Sequence, residues 1–68
     1  MIQVGEKYRN KYDDSEIIID SFVKATKEAL RINVIYTKSS TKERGQFREE
    51  DFRKSVEKGH WIKIENGL

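Results

Sequence analysis

His60 is the only histidine of this 68-residue chain, and there is no cysteine. An imidazole that acts as a general base must be oriented by a carboxylate and set beside the group it deprotonates. His60 stands between Gly59 and Trp61 at the opening of an apolar run, a position that reads as a surface or edge residue. No catalytic residue is expected, and the chain reads as a non-enzyme. Asp13, Asp14, Ser15 and Glu16 gather three carboxylates and a hydroxyl, oxygen ligands of the kind calcium and magnesium take. The alternating ligand spacing and central glycine of a calcium loop are missing, so the run reads as an acidic turn with no metal. The four glycines, Gly5, Gly45, Gly59 and Gly67, are isolated, so no glycine-rich loop cradles a phosphate and no cofactor is expected.

Binding chemistry is better represented. Tyr8, Tyr12, Tyr36, Phe47 and Trp61 are candidates for a stacking or peptide-docking surface. A small domain needs its large residues inside, so Tyr36, Phe47 and Trp61 read as core. Tyr12 differs: it sits in a polar turn, with Lys11 before it and Asp13 after, and both an exposed and a packed ring are open to it. From Lys24 to Arg48 seven bases (Lys24, Lys27, Arg31, Lys38, Lys42, Arg44 and Arg48) face two acids, while the flanks hold seven bases against ten acids. Those seven bases are the available phosphate contacts. On a hairpin, however, Lys24 and Lys27 fall at one end and Lys38 to Arg44 at the other. They make one patch only if the sheet curls, with Arg31 joining from mid-strand. The expected function is a non-enzymatic module that binds a protein partner. The alternative is a nucleic-acid-binding domain that uses the central bases.

The elements that must position these residues follow from periodicity. Leu30, Ile32, Val34 and Tyr36 share one parity and Arg31 and Asn33 the other, which predicts a strand with one buried face. Only Ile35 breaks the pattern. Residues Glu16 to Val23 read as a second strand, with Ile17, Ile19 and Val23 on one face and Ile18 and Phe22 on the other. The polar segment Lys24–Ala29 closes the two into an antiparallel hairpin. Ile2, Val4 and Tyr8 predict a first strand bent at Gly5, and Asn10–Ser15 has turn composition. Lys38–Gly45 reads as the most mobile loop, followed by a short strand around Phe47. Phe52 and Val56, four apart, mark a helix over Glu49–Lys58, with acids in its first turn, lysines later and Gly59 just beyond. His60–Ile64 returns to strand. The order predicts a mostly β fold, a small SH3-like partly open barrel of about five short strands with one short helix before the last. The runner-up is an open three- or four-stranded sheet with the helix across one face.

Length and composition bound the rest. Sixty-eight residues allow one domain and one core, burying about 60% of the unfolded surface for a stability of roughly 3–5 kcal/mol. No apolar run exceeds three residues, so no membrane helix is expected. The opening Met-Ile-Gln-Val-Gly has no charged leader followed by an apolar stretch, and with cysteine absent a cytoplasmic protein is expected. The net charge of +2 points to no partner by itself, and a monomer is the default reading.

Two segments, Val4-Gly5-Glu6-Lys7-Tyr8-Arg9 and Phe52-Arg53-Lys54-Ser55-Val56-Glu57-Lys58-Gly59-His60-Trp61, resemble small phage- and prophage-encoded proteins of SH3-like or KOW-like fold. Those proteins open with Val-Gly-x-x-Tyr-Arg, continue with a β-hairpin and end with a Phe-containing helical turn and a Gly-x-Trp strand. The resemblance covers most of the chain in layout and about fifteen residues in motif. It implies the barrel fold and a phage or prophage origin, and it assigns no functional residues. The paired glycines of the KOW hairpin are absent, which argues against a ribosome- or polymerase-type role.

Overall fold

β-Branched and aromatic side chains at alternate positions bury one row and wet the other only when the chain is extended. The computed structural model describes residues 2–24 and 31–64, and among these it has five strands and one helix. The strands are β1 (Lys7–Asn10), β2 (Glu16–Lys24), β3 (Ile32–Lys38), β4 (Arg44–Arg48) and β5 (Trp61–Ile64). Helix α1 (Glu49–Glu57) lies between the last two. All neighbours are antiparallel, in the order β4-β3-β2-β1-β5. The sheet curls into a half-barrel whose two edges, β4 and β5, are joined by α1, so the fold is a small, mostly β, SH3-like partly open barrel. The hairpin connection expected over residues 25–29, with Leu30 and Lys27, lies outside the described residues.

Tyr8, Ile17, Ile19, Val34 and Phe52 form the core, and Ile2, Tyr36, Phe47, Val56 and Trp61 pack against it. Phe52 is the plug. Its ring meets Tyr8 edge-on at 5.2 Å, stacks on Phe47 at 5.3 Å and lies 5.8 Å from Trp61. One helical side chain thus seals a sheet too short to close on itself. The helix is held at both ends. Glu49, Glu50 and Asp51 fill its first turn, complementing the helix dipole. At the other end the Gly59 N–H donates to the Val56 carbonyl at 3.0 Å and the His60 N–H to the Ser55 carbonyl at 2.9 Å. This bond pair is the Schellman motif, and it needs a left-handed residue. Gly59 supplies it with φ +83°.

Four local expectations change. The register of β2 against β3 slips between Ile19 and Ser21, so Asp20 sits in a β-bulge. A bulge flips the parity of everything beyond it. Phe22 therefore lies opposite Val34, and Val23, expected beside Ile17 and Ile19, lies opposite Asn33 on the outer face. At the N-terminus the strand begins only at Lys7, because Gly5 turns the chain at φ +90° and leaves Val4 exposed. Ile32 keeps the inner-face parity but is 45% exposed, since it pairs with Lys24 at the last rung of the ladder. The loop expected over Lys38–Gly45 shortens to a turn, since Lys38 ends β3 and Arg44 opens β4: Lys38 N–H donates to Glu43 O at 2.8 Å, Lys42 N–H to Lys38 O and Ser39 N–H to Glu16 O, both at 2.9 Å.

Candidate functional site

The bases do not converge. Lys24 ends β2 opposite Ile32, Arg31 immediately precedes β3, and Arg48 lies opposite Asn33, so these three share one end of the hairpin. Lys38 and Lys42 belong to the opposite end, with Arg44 opposite Thr37. Lys27 lies outside the described residues. Arg44 is also partly neutralised, its Nε 3.9 Å from the Asp20 carboxylate, which in turn accepts a hydrogen bond from the Thr37 hydroxyl. Asp20, outward by simple alternation from Ile19, thus sets an acid beside Arg44.

Tyr12 is 72% exposed. Its backbone is not loose. The Asn10 side-chain carbonyl accepts from the Tyr12 N–H at 2.8 Å and the Asp13 N–H at 3.2 Å. Asp14 N–H donates to Asn10 O at 3.0 Å, and Asn10 N–H to Ser15 O at 2.8 Å. The Asp13 carboxylate accepts from the Ser15 N–H at 2.9 Å and from its hydroxyl at 2.7 Å. Asparagine and aspartate bond their own turn in this way because their short side chains reach the backbone two residues on. Those Ser15 hydrogen bonds, with a smaller contribution from the Lys38 charge, hold the Asp13 carboxyl below its ordinary range. A second support comes from the helix cap: Lys11 N–H donates to His60 O at 2.9 Å, and the His60 ring meets Tyr12 at 5.5 Å between centroids. Gly59 therefore places His60, and His60 backs Tyr12.

The same turn disperses the acidic run. Asp13 caps Ser15, Asp14 faces Arg9 at 4.0 Å, and Glu16 faces Lys7 at 4.0 Å. No group of three or more His, Cys, Asp or Glu side chains placed to hold a metal occurs among the described residues. No helix among them is long and apolar enough to cross a membrane.

Sequence reasoning passed over Glu6. Its side chain is 12% exposed and lines a cleft of about 330 Å³ with Ile2, Tyr8, Arg53, Val56 and Lys63. One carboxylate oxygen accepts from the Gln3 N–H at 2.7 Å and the Tyr8 hydroxyl at 3.0 Å, while the other meets the Lys63 ammonium at 2.7 Å. Burial pushes this carboxyl up, but the hydrogen bonds from Lys63, Gln3 and Tyr8 and the Lys63 charge outweigh it and leave it lowered. Burial, then the Glu6 hydrogen bond and charge, push the Tyr8 hydroxyl up to about 12. A carboxylate with both oxygens engaged is a fastener between the N-terminal turn, β1 and β5. The signal that could have found it is its place two residues before Tyr8, within the motif Val4–Arg9.

Comparison with family models, characterised proteins and solved structures finds no match to this chain.

Proposed function

We propose that this chain is a non-enzymatic, cytoplasmic, monomeric accessory protein of phage or prophage origin that binds a protein partner through its β1–β2 turn, with Tyr12 as the anchor. The observation that carries the reading is a tyrosine ring 72% exposed on a turn closed by hydrogen bonds and backed by His60. Aromatic anchors dominate the energetics of protein interfaces. An anchor already held in place loses little freedom when it docks.

Nucleic-acid binding is the second reading. It is favoured by Lys38 and Lys42 standing at the end of the barrel that carries the β1–β2 turn, an aromatic beside bases. It is weakened by the departure of Lys24, Arg31 and Arg48 to the opposite end. The discriminating experiment is an amide-resolved titration with short single- and double-stranded oligonucleotides at low and moderate salt, paired with capture of proteins on wild-type and Tyr12→Ala chains. Proteins retained only by the wild type, and bound directly once purified, support the protein-binding reading. Steeply salt-dependent shifts around Lys38 and Lys42, with no difference between the two captures, replace it with the nucleic-acid reading.

A further inference from the structure

Strand β4 is an edge of the sheet, paired with β3 on one side only. Alternate N–H and C=O groups of an edge strand point away from the sheet and remain available to another strand. The two faces of this edge differ. On the outer face stand Arg44, Gln46 and Arg48, with Gln46 accepting from the Asn33 amide at 3.0 Å. Arg44 is 78% exposed and only loosely tied to Asp20, and Arg48 makes no ion pair among the described residues. Of the acids that follow Arg48 at the start of α1, Glu50 is already paired with Lys54 at 3.2 Å. On the inner face Gly45 leaves room for the Tyr36 ring, which lies over it and stacks on Phe47 at 4.6 Å with 19° between planes. The edge is therefore a backbone ladder with two arginines four residues apart on one side and an aromatic shelf on the other.

We propose that the free edge of β4 accepts an extended, acidic segment of a partner protein as an added strand, with carboxylates beside Arg44 and Arg48 and an apolar side chain on the Tyr36–Phe47 shelf. Side chains of an incoming strand alternate between faces, so acids four apart reach both arginines while the first and third residues between them reach the shelf. A strand edge offers donors and acceptors in turn, and only another polypeptide backbone returns both; a phosphodiester chain accepts alone. The same arginines disfavour the chain's own copy as the added strand. Two β4 strands paired antiparallel about Gln46 would set Arg44 beside Arg48 of the second copy, a like-charge pairing. The proposal rests on the protein-binding reading and adds a surface that shares no residue with the Tyr12 turn.

The test is an amide-resolved titration of the full chain with a blocked peptide of threonine and valine carrying glutamates four residues apart. Shifts and slowed amide exchange are expected over residues 44–48. Binding is expected to weaken roughly threefold to tenfold in Arg44→Ser with Arg48→Ser, the worth of two exposed ion pairs. It should disappear when alternate peptide nitrogens are methylated or the glutamates are replaced by lysines. Equal binding of the methylated peptide or of oligothymidylate would overturn the inference in favour of a simple polyanion patch. An unperturbed 44–48 would also overturn it. Binding abolished by Tyr12→Ala would place the peptide on the β1–β2 turn, ending the edge assignment while leaving the protein-binding reading intact.

Discussion

Tyr8 and Tyr12 lie four residues apart, the first 3% exposed beneath Phe52 and the second 72% exposed beside His60. The side chain is the same; the backbone beneath it differs. Tyr8 stands on a strand flanked by β2 and β5, with its ring on the inner face and its hydroxyl on Glu6. Tyr12 stands two residues past the end of that strand, where Asn10 has turned the chain out of the sheet. Where a strand stops thus decides whether an aromatic residue builds the core or is presented to a partner. The contrast also separates two kinds of hydrogen-bonded network. Around Tyr8 the bonds compensate a nearly buried charge. Around Tyr12 they order an exposed backbone.

The buried side is where a single substitution does most harm. Val34 is 0% exposed and lies opposite Phe47 in the layer beside Phe52. Val34→Asp introduces an unpaired charge there, and in a domain with roughly 3–5 kcal/mol to lose it should abolish folding, seen as loss of amide dispersion. A folded Val34→Asp chain would refute the assignment of the inner face.

The Tyr8 hydroxyl gives a pH-dependent version. Its pKa rises from 10.0 to about 12 in the folded chain, so the folded state holds the proton more tightly than the unfolded one. The associated stability is complete below pH 10 and is lost as pH rises through about 12. It amounts to about 2–3 kcal/mol. Alkaline unfolding followed by circular dichroism should therefore be steep in the wild type and shallower in Tyr8→Phe. At neutral pH that variant should lose only about 1 kcal/mol. Glu6 acts with the opposite sign: its lowered carboxyl contributes stability above the ordinary glutamate range, and this is lost as pH falls through the lower folded value.

Gly59→Ala tests the link between the two regions. It forces a left-handed residue with a Cβ at φ +83°, which should cost about 1 kcal/mol in denaturant titration. It should also shift the Tyr12 and His60 resonances together. Tyr12→Ala should have the smallest effect on folding, within about 0.5 kcal/mol of wild type, while removing partner capture. A large loss of stability there would mean that Tyr12 belongs to the structure and not to the site.

Much of this was legible in the chain. The alternation of Ile32, Val34 and Tyr36, the Phe52–Val56 spacing, the acids before and the glycine after α1, and the turn over Asn10–Ser15 all depend on neighbours within a few residues. Such local patterns carry their own physics: parity for strands, a repeat near four for helices, side-chain reach for turns. The face occupied by Val23 was not legible, because a bulge at Asp20 is set by which β3 residue is available to pair. The burial of Glu6 was not legible either, since it depends on Lys63 arriving from the last strand.

By itself the sequence determined a small mostly β chain, the place of its helix and the turn that lifts Tyr12 from the sheet, because each is a local preference of short segments. Only the tertiary structure decided that the curl of the sheet leaves the two groups of bases apart, that Arg48 joins the Lys24 end and Asp20 meets Arg44, and that β4 and β5 remain edges bridged by α1. Those outcomes depend on strand register and on the path of the chain between edges, which bring together residues tens of positions apart and leave no mark in any one segment.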